Sequence, residues 1–579
     1  MTSRLTLSAL GERLARPQRS LRNRLMAHRA RLGGRPVLAA TLPEPVRFGD
    51  AARGEALIAG RWSVLDRSLD LDEDGIWAIP VADPRLEVER QSFIWLEDLA
   101  ALGNRAARSL AQDWVTDWIR RYGHGRGAGW TPALAGRRLQ AWTMHGRLLA
   151  EGLAPPAADA LWRAFAAQQR YLAHTWLDAP EGMPRLEAVA GLVWSGLAVP
   201  HPGHRLAITE LGLAAEALVD LEGETPSRAP SDLADALILL IWTARMLENA
   251  GQSAAPAHLA AIVRGVPVLR PLRLGDGTLA RFHGGSAGSA EAIDQALAEL
   301  RIGVQAKPRL ALGFARLQGG RSVVVMDAAV PPATAATTAH AATLAFEMSV
   351  ARQPVVVNAG PGAGFGGAWA TLSRQTAAQS AVEVDGRSSA RIARGGLAAR
   401  TFGPRLEGGP SLVGIRQAQD ATGQWLLATH DGYGPSHGLI LERRLFLDAR
   451  GAELRGEDNL SVPDARARTL FDARATDGRL GFAVRFHLHP AVAAEADPER
   501  DLVRLTLPSG ETWLFRASGG SVALEPSAHL EPRRNSQPVS AQQVVVRAEV
   551  VEYLGQVIWS LFRVSGPPRT LESDRPDPA

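Results

Sequence analysis

TLAFEMSVARQPVVVN, residues 343–358, is the stretch on which the reading of the whole chain turns. Leu344, Phe346 and Met348 alternate with Ala345 and Glu347, the period of two that gives a strand two different faces. Pro354 to Val357 is a second apolar run, and the intervening VARQ is short enough to join the two as an antiparallel hairpin. The hairpin governs the meaning of the glycines just beyond it. These are GAGFGG, Gly362 to Gly367, and Val382-Glu383-Val384-Asp385 ends on an acid 18 residues after the last of them. Strand, GxGxxG and a later carboxylate together match a dinucleotide-binding fingerprint. That fold needs parallel strands joined by crossover helices, and a strand already paired in a hairpin cannot open one. The glycines therefore read as a surface loop, and no cofactor is expected.

Outward from this hairpin the two halves of the chain have different periods. From about residue 90 to 300, apolar residues recur at three- and four-residue steps. Leu110, Trp114, Trp118 and Ile119 form one such row, and Leu134–Leu149, Ala157–Trp176, Leu186–Leu197, Leu206–Leu221, Leu233–Leu247 and Leu259–Leu269 continue the series. Pro or Gly clusters such as APPA, HPGH and PSRAPS separate them, so successive helices form antiparallel hairpins. After Pro308 the period becomes two. Val484, Phe486 and Leu488 alternate with Arg485, His487 and His489, and LTLPSGETWLF, residues 505–515, turns at Ser509-Gly510. A dozen such runs imply an antiparallel β-sandwich.

Composition bounds the function classes. At 579 residues the chain exceeds one compact core, and 46% hydrophobic with 21% charged residues describes an ordinary globular protein. No run of eighteen apolar residues occurs, so a transmembrane helix is not expected. Cysteine is absent, which removes disulfides and thiolate chemistry. Nearly all basic charge is arginine, with Lys307 the only lysine. Arginine suits carboxylate and sulfate partners because its planar fork binds them bidentately. Acids are interleaved along most of the chain, which argues against nucleic acid as a partner.

The N-terminus is the exception. MTSRLTLSALGERLARPQRSLRNRLMAHRARLGG carries many arginines and one acid, Glu12. Leu7, Leu10 and Leu14, then Leu21, Leu25 and Leu32, give two apolar stripes broken at Pro17. The segment lacks the apolar stretch of a secretory signal. It admits two readings: peripheral contact with an anionic membrane, or a loosely docked basic helix.

Several stretches, in order, resemble the heparinase II/III family of polysaccharide lyases. GWTPALAGRRLQAW (Gly129–Trp142) is similar to the Trp-x-Pro segment leading into an Arg-rich toroid helix. PSRAP (Pro226–Pro230) resembles a helix-joining loop, and LRLGDGTLARFHGG (Leu272–Gly285) the passage from toroid to sandwich. AHAATLAFEMSVARQPVVVNAG, SRQTAAQSAVEVDGRSSARI, HDGYGPSHGLILERRLFL and VRFHLHP resemble successive parts of the C-terminal domain. The resemblance implies an α + β multidomain protein, an N-terminal (α/α) toroid followed by a C-terminal antiparallel β-sandwich. The expected domains are a basic extension (1–60), the toroid (61–305), the sandwich (306–567) and a disordered tail (568–579). It also implies β-elimination on an acidic, uronate-containing polysaccharide, and a cell-envelope or periplasmic location. With no export signal in view, the cytoplasm is the alternative.

At most of the family's functional positions this sequence differs. The Tyr-His expected after Arg228-Ala229-Pro230-Ser231 is Asp232-Leu233, and the histidine of the preceding loop falls on Thr225. The toroid asparagine meets Met183-Pro184. In the sandwich His340 survives, but its acid partner falls on Asn358 and the second histidine on Gln379. One histidine does not hold a zinc ion, so no metal is expected. His340 and Tyr433 are the candidate catalytic pair, with Arg443 or Arg444 available for a carboxylate; a Gly-flanked turn is the rival reading of Tyr433. Arg137, Arg138, Trp142, Arg228 and His283 are the candidate substrate-binding residues, Trp142 by stacking on sugar; a core tryptophan is its rival reading. His487 and His489 share a strand face without an evident third ligand, and a solvated face is their alternative. Two functions are consistent with this: a lyase with a rearranged site, or a lyase-like protein without catalysis that binds an acidic glycan or envelope component.

Overall fold

A computed structural model describes residues 21–47, 49–73, 75–81, 83–300, 310–332, 336–393, 395–497, 499 and 502–565. Leu7, Leu10, Leu14 and Pro17 of the basic segment, and the tail after residue 567, lie outside the described residues. The chain divides into two compact units: residues 1–225, 232–267 and 292–305 form one, and 226–231, 268–291 and 306–579 the other.

The first unit is the helical toroid. Its principal helices are Arg105–Tyr122, Pro132–Met144, Pro155–Thr175, Met183–Ala198, His204–Leu218, Pro230–Asn249 and Pro256–Leu269. Their starts are written locally. Thr131 accepts from the Leu134 amide and Asn104 from the Ala107 amide, each capping donors that have no partner within the helix. Proline occupies the first turn of Pro132–Met144, Pro155–Thr175 and Met183–Ala198, where no helical N–H is lost. Pro132–Met144 lies against Met183–Ala198 at a glycine crossing. A Cβ at Gly136 would meet the Glu187 carbonyl oxygen, and one at Gly191 would meet the Gly136 backbone. Only glycine lets these two backbones approach so closely. The unit also contains a hairpin that the periodicity did not announce, Arg61–Val64 with Arg67–Asp70, whose Trp62 is buried.

In the second unit sixteen strands form one antiparallel sheet among the described residues. The hairpin read from the sequence is there: Phe346–Val350 pairs with Gln353–Val357 through a turn in which Ala351 takes φ 49°. Leu502–Thr506 pairs with Thr512–Ser518 around Gly510 as expected. The sheet curls into a sandwich, so that strands far apart along it share one core. Ala315 and Leu317 from one end meet Leu426 and Ala428 from near the other, around Phe346, Phe486 and Trp559. The Gln318 amide donates to Gln424 Oε1 across the junction at 2.8 Å.

Period-two patterning predicts one wet face for Phe346–Val350, yet all five residues are buried. Phe346 and Met348 enter the core, while Glu347 and Ser349 point to the opposite face. The segment 268–291 covers that face: Arg281 reaches Glu347, and the Gly275 amide donates to Ser349 Oγ at 2.9 Å. GAGFGG forms one short 3-10 turn, Ala363–Phe365, and a Cβ at Gly366 or Gly367 would meet open space. Val382–Val384 runs antiparallel to Arg479–Leu488. The glycine motif is a loop in an antiparallel fold.

Candidate functional site

His340 sits in the loop before Phe346–Val350 and is 1% exposed. Its amide donates to His283 Nδ1 at 3.2 Å, and the two rings lie 6.2 Å apart. Beside it stands Arg374, whose Nε donates to the Ala339 carbonyl at 2.8 Å and Nη1 to the Pro404 carbonyl at 2.7 Å. Gln379 spends its Nε2 on the Ser373 and Gln375 carbonyls. Three buried atoms in this group, His340 Nδ1, Gln379 Oε1 and Arg374 Nη2, have no hydrogen-bond partner. Burial, then His283 and Arg374, hold the His340 imidazole well below its ordinary pKa, so it is neutral near pH 7.

Asn358, the position of the expected acid, is consumed by the backbone. Its Oδ1 accepts from the Ser380 amide at 2.9 Å and its Nδ2 donates to the Arg281 carbonyl at 3.3 Å. The three positions that the resemblance assigns to a metal thus present one imidazole and two carboxamides, with a guanidinium alongside. That donor set is poor in anionic ligands, and the fixed positive charge opposes a divalent cation. Among the described residues no group of three or more His, Asp or Glu gathers as a metal site. The residues present do not fit the family's metal.

Arg228 and His283, expected on a substrate-facing surface, meet instead at Asp327. Asp327 is fully buried; its Oδ1 pairs with Arg228 Nη2 at 2.5 Å and its Oδ2 faces His283 Nε2 at 3.1 Å. Arg228 spends Nε on the Leu312 carbonyl and Nη1 on the Val330 carbonyl, at 3.0 and 2.6 Å, and lies over Phe314. Since His283 Nδ1 accepts from the His340 amide, its proton rests on Nε2, the nitrogen that faces Asp327. Burial pushes the Asp327 carboxyl up, but Arg228 and His283 together hold it below the usual carboxylate range. The guanidinium of Arg228 is engaged inside the protein, and His283 is fully buried with Nδ1 on the His340 amide and Nε2 facing Asp327. They tie the loop 226–231 and the segment 268–291 to the sandwich, a positioning role rather than substrate contact.

Tyr433 is also internal. It is 0% exposed, and its hydroxyl donates to the Val382 carbonyl at 2.7 Å. Burial, then Glu383, pushes its acidity further out of reach, which is the wrong direction for a base. Arg443, the alternative carboxylate clamp, lies between Asp458 and the carbonyls of Leu344 and Ser380, with no exposure.

In the helical unit, Arg137 Nη2 pairs with Glu187 at 2.6 Å while its side chain keeps 41% exposure. Arg138 is completely buried. It stacks 4.3 Å over Trp118, donates to Gln168 Oε1 and to the Gly129 and Gln91 carbonyls, and burial lowers its pKa to about 9. Trp142 packs edge-on to Phe93 and Trp118 at 1% exposure, so it is a core residue with no face for a sugar. His487 is buried too, between Ser527 Oγ and the Ala377 carbonyl, not on a solvated face.

Sequence reading missed Arg374 and Asp327. Arg374 lies five residues before Gln379 in the SRQTAAQS stretch, and a basic residue among small ones was the available signal. Asp327 ends the strand SVVVMD, where an acid after an apolar run was equally visible.

Comparison with known proteins matches residues 303–560 to the family described as heparinase II/III-like, C-terminal. FtsZ-localized protein C of Caulobacter vibrioides is 33% identical over 549 residues, which cover 92% of this chain and 91% of that protein. Among solved structures, heparinase III aligns over 97% of this chain and 92% of its own, with TM-score 0.64 and 11% identity. The heparan sulfate lyase HepC of Pedobacter heparinus, in mutant form, aligns over 94% and 88%, with TM-score 0.57 and 14% identity. At such identities the two lyases share the fold with this chain.

Proposed function

Because the chain belongs to the heparinase II/III-like family but sets His340 beside Arg374 and Gln379 and carries Asn358 at the expected acid position, we propose that it binds an acidic glycan or envelope component without cleaving it. The buried surroundings of His340 carry this reading. β-Elimination needs a base that reaches a substrate proton and a cation or donor that stabilises the enolate. Here the surviving imidazole is sealed at 1% exposure and the tyrosine hydroxyl is committed to a backbone carbonyl. The lyase neighbours support an acidic polysaccharide as the bound class.

The reading extends to a membrane surface. Residues 21–30 form a helix that docks through Ala27 and Ala30, both buried, while Leu21 and Leu25 are 71% and 52% exposed. Leu32 continues the row at 79%, and Arg24, Arg29 and Arg31 flank it on the exposed side. Leucines outward and alanines inward are the reverse of an ordinary surface helix, and suit the interface of an anionic bilayer. Among the described residues no helix is long and apolar enough to cross a membrane. The name of the 33% identical relative supports a location together with FtsZ. Sedimentation of the full chain with anionic and with neutral vesicles, and titration with acidic glycans, tests the proposal. Salt-sensitive binding to the anionic vesicles and saturable glycan binding are expected; loss of both overturns it.

A further inference from the structure

Where strands Arg479–Leu488 and Ser521–His529 run out, two histidine rings face each other edge-on with centroids 5.2 Å apart, His489 and His529. His529 is 7% exposed, and its Nδ1 has no hydrogen-bond partner. His489 Nδ1 accepts from the Ala491 amide at 3.2 Å, which leaves the ring proton on Nε2 as a donor. The charges of Arg281 and Arg534 act on both rings. Arg281, 3% exposed, spends Nε and Nη2 on Glu347 at 3.3 and 3.4 Å, long for such a pair, and leaves Nη1 outside it. Arg534 is exposed and holds the Gly288 carbonyl through Nη2 at 3.0 Å. The cluster thus grades from the buried Arg281 and His529 to the exposed Arg534. Burial, reinforced by Arg281 and Arg534, keeps both imidazoles neutral. Two acids oppose them: Asp276, whose Oδ1 is occupied by the Thr278 amide and hydroxyl at 3.0 and 2.7 Å, and the buried Glu531, whose Oε2 accepts from the Ala287 amide at 2.9 Å.

We infer that this end of the sandwich binds a tetrahedral oxyanion, phosphate or sulfate, between His489, His529, Arg281 and Arg534. Arg534 carries positive charge that an anion offsets, Arg281 is already paired with Glu347 and adds the remaining face of its guanidinium, and neutral imidazoles supply N–H donors. A metal ion is disfavoured by the same guanidiniums. This inference stands apart from the proposed function, since an anion binds here whether or not glycan is turned over.

Calorimetric titration of the full chain with inorganic phosphate and, separately, inorganic sulfate is the test, with phosphatidylglycerol vesicles as a third arm. Saturable binding of at least one free anion is expected. Arg534→Ala should weaken it about tenfold, equivalent to about 1.4 kcal/mol. Because Arg534 is exposed, that variant should melt as the parent does; Arg450→Ala, a distant exposed arginine, should bind as the parent does. Vesicle binding that falls in Arg534→Ala would assign the site to lipid phosphate; vesicle binding that does not, with the free anion still bound, would assign it to a soluble anion. No saturable heat with either free anion, or equal affinity in Arg534→Ala, overturns the inference.

Discussion

Asp458 is the carboxylate partner of Arg443, and both side chains have no exposure. Asp458→Ala leaves a buried guanidinium uncompensated, so a loss of about 3–5 kcal/mol is expected by urea denaturation. Loss of less than about 1 kcal/mol would mean that the Leu344 and Ser380 carbonyls suffice. Histidines set the acid limit. Burial lowers His145, His258, His430 and His487 to about 4 each, against about 6.5 for an unfolded imidazole. Between those values the unfolded chain holds more protons, so stability is full above pH ~6.5 and falls as pH drops toward ~4, on the order of 3 kcal/mol per histidine. Denaturation midpoints at pH 7 and pH 5 check the sign; equal midpoints contradict it. At this scale the sequence told residue type but not environment. His340 stood out by its motif, whereas the engagement of Arg228 and His283 by Asp327 depends on segments up to 99 residues apart, which no local pattern records.

Elements were more legible, because periodicity and capping are local. The hairpin at 343–358 and the helices from Arg105–Tyr122 to Pro256–Leu269 arise from apolar spacing and from Pro or Gly punctuation. The burial of Glu347 and Ser349 was not legible, since alternation cannot say what will cover the second face. Two variants test elements directly. Gly191→Val forces apart the helices Pro132–Met144 and Met183–Ala198, and should cost about 3 kcal/mol or more by thermal melting. A cost near zero would show that the crossing can open freely. Leu25→Glu on the exposed row of the helix 21–30 leaves the docked Ala27 and Ala30 in place, so melting should be unchanged while binding to anionic vesicles falls at least about tenfold. Unchanged vesicle binding would remove this helix from the membrane contact.

At the scale of the molecule, an antiparallel sandwich and a helical toroid in one chain were readable from two periods and from ordered motifs. What the chain does with that fold was less readable, because function rests on a few side chains whose neighbours decide their chemistry. In this chain the neighbours of His340 are His283, Arg374 and Gln379, and the fold of a lyase holds this imidazole without the groups that elimination requires. Binding without cleavage is the expected behaviour. The most direct measurement is the ultraviolet absorbance of unsaturated uronate as purified full-length protein is incubated with heparan sulfate and other uronate glycans, with and without added zinc or calcium. No rise above that of a His340→Ala control is the expected result; a rise that the parent shows and His340→Ala lacks would contradict the account.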